Sequence, residues 1–152
     1  MANRYTHQLA HTPDILRNVL HCVHTENYND RIEADRFTLA EMIAHMADFE
    51  DIFLDRMRLA VEKPGASIVT YDPDERAQEK HYDTRDALHE LEVFTNRRSD
   101  TMTFLHELCA DDRKKFFVHP EFGAMTIDQL ATLMMGHDLY HIAQASEYLK
   151  KG

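Results

Sequence analysis

The sequence predicts an all-α fold, a four-helix bundle with a long crossover between helices 2 and 3. Three observations predict it. Four segments repeat apolar residues near the 3.6-residue period of an amphipathic helix. Two of them open on a capping box, "TLAE" and "TIDQ", in which a threonine and the Glu or Gln three residues on satisfy each other's backbone donors. Between the second and third lies the polar stretch 63–83, broken by Pro64-Gly65 and Asp72-Pro73.

The first helix begins at "TPDIL", with Thr12 as N-cap, Pro13 at the first helical position and Asp14 in the first turn. Ile15, Leu16, Val19, Leu20 and Val23 form its apolar face, and it should end near Asn27. The second starts at the Thr38–Glu41 capping box and runs to about Glu62, with a stripe of Leu39, Met42, Ile43, Met46, Phe49, Phe53 and Met57. "KPG" stops it. Stretch 63–83 has room for a helical turn in "DERAQEK". It is long enough to cross the bundle, so helices 2 and 3 need not be antiparallel neighbours.

The third helix starts near Thr84 and packs through Leu88, Leu91, Phe94, Met102, Leu105 and Leu108. Arg98 falls on or beside that face and reads as an arginine snorkelling to the surface, the alternatives being a ligand anion or a dimer salt bridge. "KKFFVHPEFGAMT" accommodates two short extended pieces around Pro120 and Gly123. The fourth helix opens at the Thr126–Gln129 capping box and runs to the C-terminus, where Lys150 and Lys151 complement the helix dipole.

Composition bounds the function. The 152 residues fit one domain, 1–152, and 43% hydrophobic content with only 4 Gly and 4 Pro fits a compact helical protein. A net charge of −10 without a basic stripe argues against nucleic acid. With no apolar run of about 18 residues and no signal-peptide pattern, the expectation is a soluble cytoplasmic protein without membrane contact. Cys22 and Cys109, lacking a C-x-x-C, read as buried thiols in a reducing compartment.

"GHDLYHIAQ" places His137 and His141 one turn apart on the stripe shared with Ile127, Leu130, Met134, Ala145 and Tyr148. Spacing alone is weak evidence. With 11 histidines in 152 residues, roughly 0.8 H-x-x-x-H pairs arise by chance, and His7 and His11 in "HQLAH" form a second one. Context separates them: the first pair lies mid-helix on the core stripe, the second precedes the first helix in a segment with no periodic apolar face.

His45, three residues after Met42 and four before Phe49, borders the stripe of helix 2. Side chains at i and i+4 have Cβ atoms about 5–6 Å apart. Two imidazole nitrogens on one tetrahedral zinc lie roughly 3.3 Å apart, so rotamer adjustment closes the gap. His45 would complete a face of three ligands and leave a position open, the pattern of catalytic sites. The residues alone leave two readings open, a three-histidine metal site or ordinary core histidines. His21, His24, His81, His89, His106 and His119 have no core-stripe partner at ligand spacing and read as ordinary, His119 least securely because "HPEFG" adjoins helix 4.

"FTLAEMIAHMADFEDIFLDRM", "HPEFGAMTIDQL" and "GHDLYHIAQ" together resemble the DinB/YfiT-like superfamily, in an order that covers residues 12 to 149. The resemblance implies a four-helix bundle with a three-histidine metal site. Carried over residue by residue, the ligands are His45, His137 and His141, the same three that the stripes select. Many members carry a tryptophan just before helix 2; here Phe37 stands near that place.

The resemblance implies a metal-dependent enzyme acting on small molecules, a hydrolase or a transferase of low-molecular-weight thiols. The alternative is a non-enzymatic, stress-associated protein that binds metal or a small molecule. Zinc is the first expectation for the metal, with nickel or iron as alternatives. Asp48, one turn from His45, is a weak catalytic candidate, as a base or as an orienter of a ligand imidazole. Asp138 and Tyr140 flank the ligands in sequence but point elsewhere on the helix. No glutamate follows His137 as in H-E-x-x-H, which argues against a zinc protease. The resemblance also implies a homodimer, for which Phe53, Phe94 and Phe104 could supply an apolar patch.

Overall fold

In the computed structural model, which describes residues 4–151, four helical columns form the bundle. The first is composite. A 3-10 segment, Arg4–His11, leads into α1 (Thr12–Cys22). Thr12 is not the N-cap; His11 holds that place without a side-chain bond, and Thr12 Oγ1 donates instead to Asp138 Oδ2 at 2.6 Å. The segment without apolar period still packs, since Leu9 is buried. α1 ends well before Asn27 because Val23 and His24 turn extended, with ψ of 134° and 137°. Ile15, expected on its buried face, is exposed.

α2 (Leu39–Glu62) opens on the capping box read from the sequence: Glu41 N–H donates to Thr38 Oγ1 at 3.1 Å and Thr38 N–H to Glu41 Oε2 at 3.3 Å. The crossover contains α3 (Pro73–Glu79), capped by Asp72, and a 3-10 turn Tyr82–Thr84. α4 (Ala87–Glu107) therefore starts later than Thr84, with Asp86 accepting from the His89 N–H at 2.8 Å. After α5 (Ala110–Arg113), β1 (Phe116–His119) and β2 (Gly123–Thr126) form an antiparallel hairpin, where Gly123 takes a φ of +73° that a side chain would strain. α6 (Ile127–Glu147) opens on the second capping box, with Gln129 N–H donating to Thr126 Oγ1 at 3.1 Å.

α2 and α4 are parallel neighbours. Arg97 reaches the Ala47 carbonyl and Arg98 reaches Glu50. The N-terminal halves share one apolar cluster (Leu39 and Met46 with Leu91 and Phe94), and Met57 shares a second with Leu105. α6 runs the other way, Leu130 and Met134 joining Met57 while Ala145 and Tyr148 join Leu39. Parallel packing obliges the chain to return along all 24 residues of α2, about 36 Å, and this is the work of the crossover. Its first part adds to the hairpin edge, with Gly65 N–H bonding Phe116 O and Val118 N–H bonding Ala66 O, both at 2.8 Å.

Between the two apolar clusters lies a polar layer made by His45, Glu50, Arg98, Asp138 and His141, all buried, with His137 half-buried. Arg98 corrects the snorkelling reading. Its side chain is 2% exposed, and it donates to Glu50 Oε1 and Oε2 (2.8 and 2.9 Å), to Asp138 Oδ2 and Oδ1 (2.6 and 2.9 Å) and to the Leu9 carbonyl (2.8 Å). Burial alone would depress its pKa; the two carboxylates reverse this and hold it protonated. One guanidinium thus ties all four columns together.

Two further expectations change. Cys22 and Cys109 are exposed rather than buried, because one ends α1 and the other caps α5, its Sγ accepting from Asp112 N–H at 3.4 Å. Phe53 and Phe94 are core residues and Phe104 is half-buried against the second cluster, so these three supply no exposed patch. Among the described residues no helix is long and apolar enough to cross a membrane.

Candidate metal centre

α2 and α6 cross so that their inward histidines meet. His45 Nε2 lies 3.0 Å from His137 Nε2, which lies 3.2 Å from His141 Nε2. One ligand atom from each histidine falls within 4.8 Å of the others. The three histidines singled out in the sequence are thus brought together, two of their three separations lying close to the roughly 3.3 Å expected on one tetrahedral ion. Burial, reinforced by His141 and His137, pushes the His45 pKa down to about 2; burial and His141 push His137 down to about 3. Burial also lowers His141, against the opposing bond to Gln144. All three are neutral at pH 7, the state a ligand imidazole requires.

The rings are held by their surroundings. Phe49 packs on His45 with centroids 4.4 Å apart, Phe53 meets His137 edge-on at 5.4 Å, and Tyr140 meets His141 at 5.2 Å. Phe37, near the tryptophan position of the resemblance, stands 5.5 Å from His45 and fills a packing role. His141 Nδ1–H donates to Gln144 Oε1 at 2.8 Å, which leaves its Nε2 unprotonated and aimed at the cluster. Gln144 was not singled out from the sequence, although it lies three residues from His141 on the same helical face, a spacing that could have found it.

Other candidates fall away from the cluster. Asp48 accepts from Arg76 Nε at 2.7 Å, from Arg76 Nη2 at 3.0 Å and from the Tyr82 hydroxyl. Burial opposes its ionisation, but these bonds outweigh it and lower its pKa. It clamps α3 to α2 and makes no bond to a histidine. Asp138, about 100° round the helix from His137, serves the Arg98 knot. His7 and His11 are exposed on the 3-10 segment. His119 is buried for a local reason: its Nδ1 accepts from the Glu121 and Phe122 N–H groups at 3.1 and 3.3 Å and forms the hairpin turn.

The histidines form the floor of an open cleft of about 400 Å³, walled by Arg36, Phe37, Phe53, Tyr140 and Gln144, with Pro73 and Asp74 of α3 at its mouth. That volume lies in the range of small-molecule sites, about 300–1,000 Å³.

A crossed-over helical bundle with three histidines converging from two helices defines a class of protein. The chain belongs to the DinB superfamily, whose family model matches residues 8–145. It is 22% identical over 149 residues to a protein of Oceanobacillus iheyensis named "Putative metal-dependent hydrolase", covering 98% of this chain and 86% of the relative. Its structure is similar to that of YfiT from Bacillus subtilis, described as a probable metal-dependent hydrolase with an unusual four-helix bundle topology. The TM-score is 0.89 at 19% identity, over 97% of this chain and 85% of YfiT. The DinB-like protein YjoA of Bacillus subtilis aligns with a TM-score of 0.66 at 13% identity, over 98% of this chain and 92% of YjoA. These two likenesses show the fold.

Proposed function

We propose that this chain is a metal-dependent enzyme acting on small molecules, with one divalent transition metal held by His45, His137 and His141. One observation carries the reading: three neutral imidazoles present Nε2 atoms to one point on the floor of an open cleft. Hydrogen bonding alone does not satisfy that arrangement. His137 Nε2 has a neighbour on each side, at 3.0 and 3.2 Å, and His141 Nε2 carries no proton because Nδ1 donates to Gln144. An imidazole nitrogen holds at most one proton, so at least one of the two contacts has none to share. A cation taking all three lone pairs removes the conflict, and three nitrogen donors suit zinc, nickel or iron.

When bound there, such an ion supplies Lewis-acid polarisation and lowers the pKa of a coordinated water or thiol. The chain's own residues orient and exclude. Gln144 sets the His141 tautomer, Phe49 and Phe53 hold the His45 and His137 rings and give the cleft an apolar wall beside them, and the open mouth admits substrate. Hydrolysis is the reaction suggested by the names of the relatives. Transfer of a low-molecular-weight thiol is the second reading, and Asp48 favours it. That carboxylate is held by Arg76 and Tyr82, so a substrate bringing its own nucleophile fits the cleft well.

Metal stoichiometry of the untagged protein tests the proposal. Wild type should carry one equivalent, and His45→Ala, His137→Ala and His141→Ala should each lose most of it. His7→Ala and His11→Ala should keep it, although they share the H-x-x-x-H spacing. A folded His137→Ala protein with full stoichiometry overturns the reading. Metal bound without turnover of any ester, amide or thiol substrate would instead mark a binding protein.

A further inference from the structure

A second chamber of about 560 Å³ adjoins the histidine cleft, and both are lined by Asp35, Arg36, Phe37 and Asp74. Phe37 divides them: its ring is 5.5 Å from His45 on the inner side and 6.2 Å from Tyr82 on the outer side. The chambers differ in chemistry. The inner one is walled by Phe49, Phe53 and Tyr140 around the histidines, whereas the outer one is walled mainly by charged and amide side chains.

The charges of the outer chamber are unequal in kind. Both of its guanidiniums are paired, Arg31 with Glu41 at 2.7 Å and Arg36 with Glu147 at 2.9 Å. Among the described residues no hydrogen bond or ion pair reaches the carboxylates of Asp35, Asp74 and Asp83, which share the same walls. The lining thus carries four carboxylates against two guanidiniums, the three unpaired ones being solvent-exposed, and Phe37, half-buried, offers its ring at the boundary while Tyr82 is buried behind it.

We propose that the cleft takes a two-part small molecule, with an apolar group of aromatic size seated against Phe49 and Phe53 beside the histidines and an amine-bearing, cationic part lying past Phe37 in the outer chamber. This deepens the proposed function and rests on the histidine cleft being the substrate site. Phe37 and the Asp35/Asp74 pair are then specificity-determining: Phe37 sets the distance between the two parts, and the carboxylates select the sign of the charge. An anionic tail meets three uncompensated carboxylates and no free cation. A molecule with an amine and no apolar part leaves the inner chamber unfilled.

Calorimetric titration with four probes tests this: 4-phenylbutylammonium, 4-phenylbutanol, 4-phenylbutyrate and butylammonium, each on wild-type protein with and without added zinc. The phenyl-ammonium probe should bind at least about tenfold more tightly than the phenyl-carboxylate or butylammonium, in both metal states, and the margin should narrow at high salt. Asp35→Asn/Asp74→Asn, which leaves only Asp83, should remove most of the preference for ammonium over alcohol while keeping metal stoichiometry. Phe37→Ala should weaken every phenyl probe. Equal affinity for ammonium and carboxylate, a preference undiminished by the double substitution, or no binding of any probe at millimolar concentration overturns the inference. Because the probes are also measured without zinc, failure of the metal site appears in stoichiometry and leaves the probe ratios readable.

Discussion

Replacing Arg98 by alanine should cost about 3–5 kcal/mol of folding free energy, the range for removing one partner from a buried ion pair. The structure puts this substitution at the severe end. The guanidinium is 2% exposed, and its loss strands Glu50 and Asp138, whose side chains are 1% and 5% exposed. It also removes the donor to the Leu9 carbonyl. For a chain of this size each kcal/mol moves the melting temperature by about 2–4 °C, so the midpoint should fall by about 6–20 °C. Thermal and urea unfolding followed by circular dichroism read it directly. Glu50→Gln should be partly rescued in the double variant with Arg98→Ala, because the two changes remove one shared interaction. An arginine snorkelling to the surface predicts a change within about 0.5 kcal/mol. A loss that small for Arg98→Ala would refute the buried-knot reasoning.

Acid should destabilise the metal-free protein through the histidines. Their folded pKa values, about 2 for His45 and about 3 for His137, lie below the ordinary 6.5 of the unfolded chain, so below pH 6.5 the unfolded state binds the extra protons. The loss should reach about 2 kcal/mol per histidine by pH 5 and grow toward the folded pKa values; urea midpoints independent of pH between 7 and 5 would contradict it. Asp48→Asn should cost about 1–3 kcal/mol by weakening the bonds to Arg76 and Tyr82 and leave metal content intact. A metal-depleted but folded Asp48→Asn protein would restore Asp48 as a residue acting on the ligands. Gln144→Leu should lower metal affinity about 10–100-fold in a chelator competition by releasing the His141 tautomer, and unchanged affinity would show that Gln144 has no such role.

The readable parts of this chain were those whose cause is local. Thr38–Glu41 and Thr126–Gln129 each lie within one helical turn, and both capping boxes form. His137 and His141 are likewise one turn apart, and His45 could be added because it borders an apolar stripe. What escaped depended on partners far along the chain. Arg98 meets Glu50 and Asp138 across 48 and 40 residues, so its position on the core face gave no clue to what neutralises it. A signal existed, in that Glu50 and Asp138 each sit beside a core stripe and balance a cation on a third. The exposure of Cys22 and the early end of α1 reflect extended backbone at Val23 and His24, which neither glycine nor proline announces. Phe53 and Phe94 lie on the apolar faces that the period assigns them; the expectation that they also had surface to spare for a dimer patch failed because periodicity gives a face, not the number of neighbours that cover it.

The cleft is assembled from two kinds of backbone. Its floor belongs to α2 and α6, rigid columns whose registers are locked by capping boxes and by the Arg98 knot. Its walls belong to connections: Asp35, Arg36 and Phe37 precede α2, and Pro73 and Asp74 lie on the crossover. Substituting the exposed positions of these connections, Asp35, Pro73 and Asp74, changes what the cleft admits while Phe37 and Tyr82 stay packed beside His45, since exposed loop positions tolerate sequence change at small thermodynamic cost. Reactivity and selectivity are therefore separately inheritable in this architecture, and these exposed positions are where an engineer can retarget the site while leaving the bundle untouched.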